Sequence, residues 1–183
     1  MEDAAETEAR VRRAAAGDRA AAEALLAGLL PRVRNLIRYL VRGDQDVDDM
    51  AQQALVAILR GLPGYRADAP LERWADRITA REAMAYVRRR RTRDAREGAE
   101  LALEVLPAPE ETARYLARRE LARRLDTLPD PQREAIVLHH LVALTVPEVA
   151  EALGVSPDTA KSRIRLGMEK LRAAAAQEGA DAP

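Results

Sequence analysis

The sequence predicts an all-α protein: two small helical domains joined by an acidic linker, the second containing a helix-turn-helix. Three observations carry this prediction. Apolar residues recur at helical spacing along nearly the whole chain, without the period-2 alternation that a half-buried strand shows. Ala, Leu, Arg and Glu dominate while Phe is absent, a composition that favours helices. The periodicity lapses over 92–112, where Gly98, Pro107 and Pro109 accompany an excess of carboxylates.

Taken in order, residues 18–29 read as a first helix. Pro31 can open a second, with Leu36, Ile37, Leu40 and Val41 on one face and an end near Gly43. A third runs from about Asp46 to Leu62 along the stripe Val47, Met50, Ala51, Ala54, Leu55, Ile58 and Leu59. Pro63 and Gly64 stop it, a loop follows to about Pro70, and a helix from Leu71 runs into Arg88–Arg91. The linker, 94–112, has a helical tendency around Leu101–Val105. Periodicity resumes over 113–126 and, after Pro129 and Pro131, over 131–143. Thr145-x-x-Glu148 can then close a capping box with Pro147 in the first turn, and Gly154 suits the left-handed position that ends this short helix. Ser156 and Pro157 start the last one. The final ten residues read as frayed. The expected organisation is a first domain over 1–93, a linker over 94–112, a second domain over 113–174 and a tail over 175–183.

Formal net charge is zero, which looks unpromising for a nucleic-acid partner, but its distribution is uneven. Residues 18–93 hold fifteen basic against ten acidic side chains, 94–112 one against six, and 113–173 eleven against eight. Two basic blocks therefore flank an acidic one, and that asymmetry is the informative quantity. The lack of cysteine excludes disulfides and thiolate metal sites. No apolar run approaches membrane-spanning length, and the acidic start lacks the order of a signal peptide, so a soluble cytoplasmic protein without membrane insertion is expected. We find no glycine-rich phosphate loop, no Ser/His/Asp or Cys/His constellation and no metal motif, so neither catalysis nor a cofactor is expected. Asp44-x-Asp46-x-Asp48 resembles a calcium loop only at its start, because position six is Asp49 rather than Gly and position twelve is Leu55 rather than Glu. His139 and His140 have no third ligand nearby in sequence and read as ordinary helix residues.

In the last helix Ala160, Ile164, Met168 and Leu171 fall at steps of four, four and three, which makes a buried stripe. Lys161, Ser162 and Arg165 then project from the opposite side. A helix-turn-helix needs this arrangement, since its second helix enters the major groove with early residues against base edges. An ordinary helical hairpin with a solvated basic face has the same pattern.

The stretch 125–174, "LDTLPDPQREAIVLHHLVALTVPEVAEALGVSPDTAKSRIRLGMEKLRAA", resembles the carboxy-terminal promoter-binding domain of sigma factors, most closely the two-domain extracytoplasmic-function group. The matching elements are Leu128-Pro129, Gln132-Arg133-Glu134, Glu148-x-Ala150, Leu153-Gly154-Val155 and Thr159-x-Lys161-Ser162-Arg163. Residues 44–91 are similar to the family's amino-terminal domain: an acidic helix start leading into Gln52, a Tyr-Arg loop, Trp74, Arg77-Ile78 and an arginine run.

The resemblance implies a sigma factor that binds core RNA polymerase, recognises promoter DNA and directs transcription initiation, with an anti-sigma protein as a further partner. It implies that Asp46, Asp49, Gln52 and Gln53 dock on the clamp helices of the largest polymerase subunit. It assigns a pocket for an unstacked base of the downstream (minus-ten) element to Arg66, Ala67, Asp68 and Ala69, and contacts along the following helix to Arg77, Arg81, Arg88 and Arg89. The upstream (minus-thirty-five) element falls to Ser156, Thr159, Lys161, Ser162, Arg163 and Arg165. Arg81, Ala85 and Leu166 depart from the family pattern, Arg81 standing where relatives often have Asn and Leu166 where many have Arg. Trp74 shares a helical face with Leu71 and Ile78 and is expected in the core. Glu97, Glu100, Glu104, Glu110 and Glu111 would lie in the polymerase channel later used by RNA, or simply solvate a tether. A stand-alone helix-turn-helix regulator is the alternative, and it leaves 44–91 without a task.

Overall fold

In a computed structural model of the protein, residues 4–41, 46–97 and 113–180 are described. Gly43, Asp44 and the linker carboxylates Glu100, Glu104, Glu110 and Glu111 lie outside them, as does the Leu101–Val105 segment. The described residues are helical with no strand, and they fall into two compact units.

The first unit holds α1 (Ala4–Ala15), α2 (Arg19–Leu40), α3 (Val47–Gly61), a 3-10 turn (Leu62–Gly64) and α4 (Leu71–Glu97). α1 precedes the first helix expected from the sequence, at 18; among its described side chains Val11 and Ala14 are buried, too thin a stripe to stand out in an alanine-rich segment. Gly17, at φ +94°, breaks the chain after α1. The Asp18 carboxylate then caps α2 by accepting from the Ala21 N–H at 3.0 Å.

The expected break at Pro31 does not occur. α2 is one helix of 22 residues with Pro31 inside it. Its stripe Ala21, Leu25, Leu29, Val33, Leu36, Ile37 and Leu40 is buried throughout and keeps helical register across the proline. Burial of that continuous face outweighs the backbone hydrogen bond that a proline forfeits, about 3 kcal/mol with its steric clash. α2 packs against α1, α3 and α4, and α3 packs against α4. Of the expected α3 stripe, Val47, Met50, Ala51, Ala54 and Ile58 are buried, whereas Leu55 is half-buried and Leu59 is exposed. Across the α2–α4 contact the Arg32 guanidinium donates to both oxygens of the buried Asp76, at 2.7 and 2.6 Å. This bidentate pair, chiefly through its hydrogen bonds, raises the Arg32 pKa.

The second unit holds α5 (Ala113–Asp126), α6 (Asp130–Ile136), a π-helical turn (Val137–Leu141), α7 (Val146–Leu153) and α8 (Pro157–Ala180). Leu125, Leu128, Ala135, Val137, Leu138, Val149 and Ala160 form its core. Arg133 is buried with its guanidinium 2.9 Å from Asp126, which ties α6 to the end of α5. The helix expected over 131–143 instead widens into the π turn and closes at Ala143, which takes φ +61°. His139 Nδ1 lies 2.8 Å from the Leu144 carbonyl. Burial, then the neighbouring His139 and Arg172, lowers the pKa of His140. The helix ends also differ from expectation: α4 continues through 94–97 of the expected linker, and α8 through 175–180 of the expected tail.

Candidate polymerase and DNA interfaces

The acidic start of α3 divides into two parts. Asp46 occupies the N-cap position without making a side-chain cap. Its carboxylate instead accepts from the Tyr86 hydroxyl and lies 3.8 Å from Arg90, both on α4. Burial first, then this bond to Asp46, raises the Tyr86 pKa. Asp48 is paired to Arg34 of α2 at 2.5 Å. Asp49, Gln52 and Gln53 are exposed, and with Val56 they form a ridge at i, i+3, i+4 and i+7. Gln52, Gln53, Val56 and Arg81 line a groove of about 670 Å³ between α3 and α4. Val56, which the sequence did not single out, and Leu59, expected on the buried stripe, are exposed and add apolar surface to this side of α3.

Arg66, Ala67, Asp68 and Ala69 are exposed in the turn between α3 and α4. The turn is held at both ends. The Tyr65 hydroxyl donates to the Ala69 carbonyl at 2.7 Å, and the Tyr65 ring tilts against Trp74 with centroids 5.3 Å apart. Trp74 in turn covers Gly61, where a Cβ would stand 3.1 Å from Trp74 Cζ2. Trp74 is half-buried, a brace under the loop rather than a fully enclosed core residue. Ala67 sits at φ +59°, a left-handed conformation that costs a non-glycine residue about 1–3 kcal/mol and is kept only where its surroundings enforce it. Along α4, Arg77, Arg81 and Arg88 are exposed on one side, joined by Arg73, which belongs to the same row. Arg89 is exposed one residue beyond. Ala85 is half-buried.

In the second unit the Thr145 N–H and hydroxyl donate to the Glu148 carboxylate at 2.7 and 2.8 Å, closing the capping box of α7. Gly154 ends α7 at φ +65°. Ser156 caps α8, its hydroxyl accepting from the Thr159 N–H at 3.2 Å and lying 2.9 Å from the Thr159 hydroxyl. Lys161, Ser162 and Arg165 are exposed; Arg163 is half-buried. Arg165 is paired with Glu169 at 2.8 Å. Of the expected stripe only Ala160 is fully buried, with Ile164, Met168 and Leu171 half-buried. At Gly167 α8 runs close to α6, so that a Cβ there would come within 2.5 Å of Ile136 Cδ1. A glycine in mid-helix was the available signal for this close approach of α8 to α6.

Two helical modules with these features define a class. Residues 25–93 match the family model for sigma-70 region 2, and residues 118–171 match that for sigma-70 region 4. Curated relatives include SigM, an extracytoplasmic-function RNA polymerase sigma factor of Mycobacterium tuberculosis, 32% identical over 85% of this chain and 78% of its own length. CarQ, an RNA polymerase sigma factor of Myxococcus xanthus, is 31% identical over 85% of this chain and 90% of its own length. Among solved structures, CnrH in complex with the cytosolic domain of CnrY is similar with a TM-score of 0.50 at 27% identity, covering 94% of this chain and 97% of that one. The sigma factor RpoE of Bartonella quintana, in complex with the anti-sigma factor NepR, has a TM-score of 0.58 at 21% identity, over 82% of this chain and 93% of that one.

The chain belongs to the sigma-70 family, in its extracytoplasmic-function group. It is an RNA polymerase sigma factor, which recognises promoter DNA and directs transcription initiation.

Proposed function

We propose that this sigma factor docks on core polymerase through the outer ridge of α3, with Asp49, Gln52 and Gln53 as its polar contacts and Val56 as an apolar one. The loop 65–70 holds an unstacked base of the downstream element, and Arg77, Arg81, Arg88 and Arg89 follow the strand. Stacking and cationic contacts of this kind suit single-stranded DNA. The exposed side of α8 reads the duplex upstream element, with Lys161, Ser162 and Arg165 toward base edges and Ser156, Thr159 and Arg163 fixing the helix start near the backbone. Residues 1–93 and 113–174 are the two working domains, 94–112 the tether between them.

The observation that carries this reading is the braced turn at Tyr65–Ala69, a preformed exposed loop at the head of an arginine row. CnrH is solved with the cytosolic domain of CnrY, which supports an anti-sigma protein as a partner of this chain as well. No described helix is long and apolar enough to cross a membrane, which is consistent with action in the cytoplasm. The chain has no catalytic role of its own in this reading. Transcription in vitro with purified core polymerase and a library of promoters randomised in both elements tests it. Core-dependent initiation with selection at both elements is expected. Upstream binding that needs no core and gives no initiation would replace the reading with a stand-alone regulator.

A further inference from the structure

Leu166 stands in an unusual place for a large apolar side chain. It is 40% exposed on α8, one residue after Arg165 and four after Ser162, so it shares the outer side of the helix with the exposed residues Ser162 and Arg165. The opposite side is fixed by the burial of Ala160 and by the close seat of Gly167 on Ile136. Rotating α8 to hide Leu166 would break that contact. A single exposed leucine normally needs no explanation. Here its position gives it one, because a helix lying in the major groove brings its outer side against the DNA. A leucine pressed on phosphates or on base nitrogens and oxygens would desolvate them without giving hydrogen bonds in return. The major groove offers one apolar group of its own, the C5 methyl of thymine.

We propose that Leu166 is a specificity residue of the upstream element, selecting thymine by packing on its methyl group. This rests on the reading that α8 enters the groove of that element. One helical turn separates Leu166 from Ser162, roughly 6 Å along the axis. The selected thymine therefore lies within about two base-pair steps of the pair that Ser162 faces, taking 3.4 Å per step.

The test uses holoenzyme, formed from the full chain and core polymerase, on the upstream sequence that randomised selection returns. Each thymine is replaced in turn by deoxyuridine, which removes the methyl and leaves every hydrogen-bonding group in place. With the wild-type chain, one or two replacements should weaken binding about fourfold, the equivalent of one buried methyl group. Leu166→Ala should bind the thymine and deoxyuridine promoters alike, and Leu166→Met should restore the difference. The proposal is overturned if wild type selects an upstream sequence but is indifferent to every methyl, or if the methyl dependence survives in Leu166→Ala. If wild type selects no upstream sequence at all, the groove reading of α8 fails and the proposal falls with it.

Discussion

Asp46 shows how a single carboxylate can be taken out of the role its position suggests. A cap to the first-turn N–H groups of α3 is commonly worth about 1 kcal/mol, yet Asp46 forgoes it for Tyr86 and Arg90 on α4. The charge that fits polymerase docking best is then Asp49, exposed on the ridge with Gln52 and Gln53. These two residues should separate in experiment. Tyr86→Phe removes a donor from a partly buried carboxylate and should lower stability by about 1 kcal/mol in urea denaturation. Asp49→Lys should leave stability within about 0.5 kcal/mol. Against cationic clamp helices it places like charges together, which costs several kcal/mol. Core-polymerase pull-down should therefore lose Asp49→Lys and retain Tyr86→Phe. A folded Asp49→Lys chain that still binds core as wild type does would remove Asp49 from the interface.

At the scale of the element, what was legible depended on how much of each helix is dictated locally. The Thr145–Glu148 box, the Gly154 stop and the Ser156 start are written in neighbouring residues, and each is present with the expected geometry. Pro31 is the opposite case, a strong local breaker overruled by a stripe that spans 20 residues, from Ala21 to Leu40. Pro31→Ala should consequently raise the thermal stability of the first unit, by on the order of 1–3 kcal/mol, since it restores a helical N–H and removes the ring clash at an exposed position. Gly167 shows the reverse sign. Alanine is the better helix former by about 1 kcal/mol, but its Cβ would meet Ile136 Cδ1 at 2.5 Å and the less movable Gln132 Cβ at 3.2 Å. Overpacking of this kind costs about 1–3 kcal/mol, so Gly167→Ala should lower the midpoint of unfolding of the second unit. An unchanged or raised midpoint would mean that Ile136 changes rotamer freely and that α8 is not held by this contact. Spacing placed the candidate residues of α3, α4 and α8 on helices, whereas Arg66–Ala69, which sit in a turn, came from the family resemblance alone. Invisible in the sequence were the partners that come from distant segments, Tyr86 and Arg90 for Asp46 and Trp74 under the loop; the Arg165–Glu169 pair, at i and i+4, follows from spacing. The first two come from packing between separate segments of the chain, which spacing alone does not specify.

For the whole molecule, a net charge of zero conceals an uneven distribution of charge, and holding DNA and reading it make different demands on that charge. Backbone contacts set affinity and its salt dependence, whereas base contacts set preference. In the proposed reading Arg88 and Arg89, exposed near the end of α4, belong to the first kind and the loop Arg66–Ala69 to the second. Replacing both arginines with alanine should reduce the slope of log K against log salt by about 1.4 on a single strand, or about 1.8 on duplex. The preferred promoter sequence should stay the same. Exchanging residues 66–69 for those of a relative with a different downstream preference should do the converse, transferring the preference with little change in slope. Lys161→Ala should relax selection only at the upstream element, at a cost of about 1–3 kcal/mol if the contact is to a base. The three variants are compared as holoenzyme on one promoter library over a salt series, which reads slope and sequence preference together. If the arginine pair leaves the slope untouched, those residues are a solvated helix end. If the loop exchange leaves the downstream preference untouched, the base pocket lies elsewhere, even though the turn is braced by Tyr65 and Trp74.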